Sequence, residues 1–287
     1  MPRRSAARSM PRKTRKIRTS RRRRFRVSML WPSARLRRRW FRALRSAPVF
    51  VQVIIGTAAV FTLWLAVNWT YQVIRKPSEL FFPVSGTLYK TPTETWRQYA
   101  PIFRKHATNA ITPDFLAALA QVEGSGNPVV RTYWRWSLTK EPFEVYRPAS
   151  SAVGMYQITD GTFVEARRYC IHDHVVVEDG TWHELRSCWF NDLYTRVVPA
   201  HAVELTSAYL DRRVASTLKR RRTAATLEQK QDLAAVIHLC GAGAGENYAR
   251  RGFRLLVRQR CGDHDARGYL ARVKAMRGVF ARLDARG

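Results

Sequence analysis

The chain has 287 residues, enough for one or two folded domains, and it carries a formal net charge of +30 with a pI near 11.2. A charge of that size ordinarily points to nucleic acid or an anionic surface. Residues 1–45, however, hold nineteen of the 51 Lys and Arg and no Asp or Glu, which leaves +11 for the remainder. The basicity belongs to a tail, and this argues against nucleic acid as the main ligand.

Residues 1–46 form this basic tail. Its charge and its scarcity of apolar residues predict disorder in isolation. Trp31, Leu36, Trp40, Phe41 and Leu44 are spaced to form an amphipathic basic helix against a membrane face, with anionic lipid as the partner. Residues 47–74 follow as a predicted transmembrane helix. From Ala47 to Val67 there is no charge and one strongly polar side chain, Gln52. About twenty residues at about 1.5 Å each cross a hydrocarbon core of about 30 Å. Trp64, Trp69 and Tyr71 fall near its C-terminal edge, where interfacial aromatics belong.

Basic residues crowd the N-terminal flank, so the positive-inside rule predicts a cytoplasmic N-terminus and an exported C-terminal region. A cleaved signal peptide is the competing reading. The apolar run is longer than a usual signal core, and no clear Ala-x-Ala site follows it. Residues 75–93, with Pro77, Pro83, Gly86 and Pro92, read as a linker lifting the rest off the bilayer.

Residues 94–287 read as one mostly α domain. Trp96, Tyr99, Ile102 and Phe103 predict a helix over 94–107. Thr112-Pro113-Asp114 is a helix start, and the apolar stripe of Phe115, Leu116, Leu119 and Val122 runs to Glu123, where Gly124 and Gly126 end the helix. Further helices are predicted over 199–219, 227–239, 246–259 and 266–284. Thr226 and Gln229 have capping-box spacing, and Tyr269, Leu270, Val273, Met276, Phe280 and Leu283 give the last helix an apolar face. A short hairpin is expected within 171–190. Cys170, Cys188, Cys240 and Cys261 all lie beyond the span. An exported location permits two disulfides, for which local pairing, Cys170 with Cys188 and Cys240 with Cys261, closes loops of roughly twenty residues.

Two segments carry the chemistry: Glu123-Gly124-Ser125-Gly126-Asn127-Pro128, and Ser151-Ala152-Val153-Gly154-Met155-Tyr156-Gln157-Ile158. Together they resemble the signature of the lysozyme-like lytic transglycosylases (the SLT family), in which the catalytic Glu is followed by Ser-x-x-Asn-Pro and a second motif reads Ala-x-Gly-Leu-Met-Gln. Here Gly124 replaces the serine and Tyr156 the usual Met. The family's third motif, Tyr-Asn-Ala-Gly, has its best register at Cys240-Gly241-Ala242-Gly243, where the tyrosine and asparagine are missing. His238 is the candidate replacement.

The resemblance, over about residues 108–255, implies a lysozyme-like (α+β) catalytic domain and peptidoglycan glycan strands as substrate. It also implies that Glu123 is the catalytic acid, with substrate contacts from Ser151, Gly154, Met155, Tyr156, Gln157 and His238. The loop between the two motifs adds Trp134 and Trp136 among arginines, suited to sugar rings and to stem-peptide carboxylates.

Cleaving a glycosidic bond requires protonating the leaving oxygen, and a lysozyme-type hydrolase needs a second carboxylate besides. None accompanies Glu123 in the two motifs before Asp160; Glu141, Glu144 and Glu165 are the other acidic candidates. In the family mechanism one acid suffices, because the substrate's N-acetyl group acts internally and the 6-hydroxyl closes a 1,6-anhydro ring. No cofactor is expected, and His172-Asp173-His174 lacks a third metal ligand. The expected location is a bacterial inner membrane, with the catalytic domain periplasmic. A non-catalytic peptidoglycan-binding scaffold of a cell-envelope machine, with a partner in that machine, and a lysozyme-type hydrolase are the alternatives.

Overall fold

The computed structural model describes residues 34–138, 141–181, 184 and 187–286. Most of the expected basic tail, residues 1–33, therefore lies outside the described residues, as does the candidate Trp31. Its last part, Ala34–Ser46, forms helix α1, where the spacing of Leu36, Trp40 and Leu44 predicts one. The chain divides into two units, one ending at Phe61 and one running Thr62–Gly287. Helix α2, Val49–Arg75, is long and apolar enough to cross a membrane, and its last fourteen residues belong to the second unit.

Residues 75–93, expected as a linker, are folded into the second unit. They form a 3-10 turn, Pro77–Phe81, and a short helix α3, Phe82–Ser85. Glu79 is fully buried. It accepts hydrogen bonds from Trp134 Nε1 (2.9 Å) and Arg131 Nη1 (3.2 Å) and faces Lys76 Nζ at 3.4 Å. A buried carboxylate is tolerated only with such company. Burial pushes the Lys76 ammonium down, against the pull of Glu79. Asn127 Nδ2 donates to the Ser85 carbonyl at 2.6 Å, and Gln121 Nε2 to that of Lys90 at 3.0 Å. This stretch packs against the domain where a spacer was expected, because Glu79 Oε2 and the Ser85 and Lys90 carbonyls find partners there.

Helix α4, Pro92–Lys105, opens on a capping box between Thr91 and Glu94. Helix α5, Pro113–Gly124, is the central element. Leu116, Ala117, Ala118, Leu119 and Ala120 are all fully buried, as a helix apolar on every side demands. Its N-cap is Thr112, but the hydroxyl caps nothing; it accepts instead from Gln231 Nε2 at 2.8 Å. The antiparallel strands β1, Trp134–Trp136, and β2, Tyr146–Pro148, follow, then α6, Asp160–Ala166. Strands β3, Tyr169–His172, and β4, Val175–Glu178, form the expected hairpin.

Helix α7, Pro199–Arg221, precedes α8, Leu227–Cys240, whose capping box is formed by Thr226 and Gln229 as their spacing predicts. Helix α9, Ala242–Arg250, begins earlier and stops sooner than the predicted 246–259. Gly252 and Phe253 have φ of +64° and +61°, a left-handed backbone that no helix can continue through. Strands β5, Arg260–Cys261, and β6, His264–Asp265, lead into α10, Ala266–Asp284. Helices α4 and α10 pack on α5, α8 packs on α10, and α7 packs on α4, α8 and α9. The cysteines pair as Cys170–Cys188 and Cys240–Cys261, each worth about 3 kcal/mol by loop closure.

Candidate active site

Glu123 is the penultimate residue of α5. The helix ends there because Ser125 takes a left-handed backbone, φ 47°, and its N–H returns to Gln121 O, while Gly126 N–H returns to Ala120 O. The carboxylate is mostly buried, its side chain 16% exposed. Tyr269 Oη, from α10, donates to Glu123 Oε1 at 2.5 Å, and His238 Nε2, from the last turn of α8, lies 3.5 Å from the same oxygen. Oε2 makes no hydrogen bond or ion pair among the described residues. Three helices thus converge on one oxygen and leave the other without a partner among the described residues.

Burial pushes the Tyr269 phenol well above its ordinary value, and the adjacent Glu123 reinforces this. The hydroxyl therefore keeps its proton throughout the working pH range and serves as a permanent donor.

The second motif is a tight turn laid over the end of α5. Val153 and Ile158 exchange backbone hydrogen bonds at 3.1 Å, with Gly154 at φ +80° and Gln157 at φ +48°. A Cβ on Gly154 would sit 2.1 Å from the Arg196 carbonyl oxygen, so the position admits only glycine. A Cβ on Gly124 would lie 3.0 Å from Met155 Cα, Met155 O and Val130 Cγ1. The serine that the resembled family carries after its glutamate would be crowded here by the close approach of the two motifs.

Met155 and Tyr156 were expected on the substrate surface. Both are fully buried, and Tyr156 Oη donates to the Leu116 carbonyl at 3.2 Å. They fix the turn to α5 as core residues, because apolar bulk in a tight turn over a helix is cheapest out of water. Gln157 is half-buried, and its Nε2 donates to Gly154 O (2.9 Å) and Val130 O (3.3 Å), bracing the turn. Ser151 is exposed and its Oγ accepts from Asp160 N–H at 3.2 Å. Trp134 and Trp136 stand in the β1–β2 hairpin: the indole N–H of Trp134 is taken by Glu79, and the ring of Trp136 stacks on Trp64 at 6.2 Å. Of the expected substrate residues, only His238 is shown against Glu123.

Three of the four candidate second carboxylates are occupied elsewhere. Asp160 pairs with Arg196 at 2.8 Å, Glu165 with Arg213, and Glu144 with both Arg75 and Arg147. Among the described residues no cluster of three or more His, Cys, Asp or Glu is arranged to hold a metal ion.

Tyr269 was missed as a site residue, since the sequence places it on the apolar stripe of the last helix. The signal was there in two parts: a core tyrosine needs a partner for its hydroxyl, and the third motif had lost the hydroxyl expected beside the acid. Comparison with known proteins gives no matching family model, no matching curated sequence and no matching solved structure.

Proposed function

We propose that the protein is a membrane-anchored peptidoglycan lytic transglycosylase, with Glu123 as its single general acid and base. The observation that carries this reading is the asymmetric carboxylate: Oε1 held by Tyr269 and flanked by His238, Oε2 open. A carboxyl group fixed in this way presents a proton on Oε2 in one direction, which is what protonating a glycosidic oxygen demands.

As the bond between N-acetylmuramic acid and N-acetylglucosamine breaks, the proton passes from Oε2 to the leaving oxygen. The substrate's own N-acetyl oxygen meets the developing charge at the anomeric carbon. Glu123, now ionised, takes the proton of the 6-hydroxyl, whose oxygen attacks that carbon and closes the 1,6-anhydro ring. The pairing of Asp160, Glu165 and Glu144 with arginines favours this route over hydrolysis, which needs a second free carboxylate.

On this reading α2 crosses a bacterial inner membrane with its N-terminus cytoplasmic, and the two disulfides suit a periplasmic domain. The test is digestion of purified sacculi by the full chain in detergent micelles. Glu123→Gln, which keeps the shape but cannot shuttle the proton, should release soluble fragments about a thousandfold more slowly. Wild-type-like release by the variant, or binding without release by both proteins, would refute the enzyme.

A further inference from the structure

The C-terminal third of α2 is bound laterally to the β1–β2 hairpin. Asn68 Nδ2 donates to the Tyr146 carbonyl at 2.7 Å and Gln72 Nε2 to the Phe143 carbonyl at 2.6 Å. Both side chains are buried. Arg75 pairs with Glu144 at 2.6 Å, Tyr71 packs on Phe143, and Trp64 stacks on Trp136.

The hairpin nevertheless leaves large apolar groups uncovered: Tyr133 is 67% exposed, Trp136 60%, and Leu138, toward the tip, completely. Trp64 belongs to the uncharged run that ends at Val67. A span of about twenty residues starting at Val49 places it about one turn inside the hydrocarbon boundary. Trp136, stacked on it, is held at the same depth.

We propose that the hairpin is inserted into the surface of the bilayer that α2 crosses, so that Tyr133, Trp136 and Leu138 contact glycerophospholipid. The inference rests on α2 being a membrane span. Continuity with that span identifies lipid as the occupant, since any other partner would have to displace lipid already packed around Trp64. Two backbone carbonyls at such a position are provided for, while Asn68 Oδ1 stays buried without a hydrogen-bond partner among the described residues. The Tyr146 and Phe143 carbonyls, which cannot be left bare at the edge of hydrocarbon, are capped by Asn68 and Gln72. Arg135 projects from the other face of β1 and is exposed, as suits a headgroup phosphate. Helix and hairpin form a two-part anchor that holds the domain directly on the membrane.

The test uses full-length protein carrying an environment-sensitive fluorophore on Leu138→Cys, Val60→Cys or Val257→Cys. All three sites are exposed, so the fold tolerates the changes. Each variant is reconstituted into phosphatidylglycerol–phosphatidylethanolamine vesicles that contain lipids spin-labelled at the top or near the end of the acyl chain. The proposal expects shallow labels to remove about half the emission at position 138, deep labels to do so at position 60, and neither to affect position 257. Quenching at 60 with none at 138 would leave the span standing and overturn the hairpin's insertion. No quenching at 60 would remove the span, and the proposal with it.

Discussion

Burial keeps the Tyr269 phenol protonated, so it is the donor to Glu123 Oε1. Tyr269→Phe retains the ring that packs α10 on α5 and removes only the hydrogen bond to Glu123 Oε1. A hydrogen bond to a charged group is worth about 1.5–3 kcal/mol, so its loss should lower the melting temperature by several degrees, and cleavage of sacculi by the folded variant should slow about tenfold to a hundredfold. A variant as fast as wild type would leave Tyr269 a core residue and nothing more.

Gly124 makes an opposite kind of claim, about space. Restoring the family's serine by Gly124→Ser pushes a Cβ against the Met155 backbone. It should cost about 1–3 kcal/mol in denaturant unfolding; unchanged stability would mean that the two motifs are not locked together. The sequence carried both motifs and their departures in plain view. What it could not carry was their geometry: a serine-to-glycine change looks like a loss of function until Met155 is found lying on the helix end.

Elements with strong local signals were legible. α10 runs over the predicted 266–284, and the capping box starts α8 where Thr226 and Gln229 placed it. Boundaries set by distant packing or by special backbone angles were not: α9 stops at a left-handed Gly252 that composition alone does not mark. Nor was the role of residues 75–93 legible, because Pro and Gly spacing describes a linker equally well whether or not a buried Glu79 ties it down.

A junction between α4, α7 and β3 is equally invisible in one dimension. His106, the C-cap of α4, is buried with Nδ1 3.6 Å from Glu204 Oε2. Glu204 is itself held by Tyr194 Oη at 2.8 Å and Ile171 N–H at 3.0 Å. Burial pushes the His106 imidazole below its ordinary 6.5, outweighing the pull of Glu204, while Lys105, His174 and His201 push the same way as burial. The unfolded chain then binds a proton that the folded chain resists. Stability is complete above about pH 6.5 and falls as the pH drops toward the folded value. Thermal melts from pH 7.5 to 5 should show this decline, and His106→Gln should flatten it, leaving the share of His201, which burial also lowers. An equal slope in both proteins would place the acid sensitivity elsewhere.

At the scale of the whole molecule, charge, hydropathy and chemistry run in order along the chain: basic tail, apolar helix, disulfide-bonded domain. That order was legible from residue types alone, because charge and apolarity sum locally. The attachment of the domain to the helix was not, since it depends on two amides, Asn68 and Gln72, that a hydropathy reading counts merely as the end of the apolar run. If helix and hairpin form one anchor, the open oxygen of Glu123 works at a fixed height above the bilayer and not at the end of a tether.

In the proposed reaction Glu123 cleaves glycan without water. The most direct test is to digest sacculi with the full-length protein in water enriched in heavy oxygen and to read the new glycan ends by mass spectrometry. Wild type should produce 1,6-anhydro ends, lighter than reducing ends by one water and free of heavy oxygen, and Glu123→Gln should produce none. Reducing ends carrying heavy oxygen would contradict that reaction and make the protein a hydrolase with a second carboxylate still to be found.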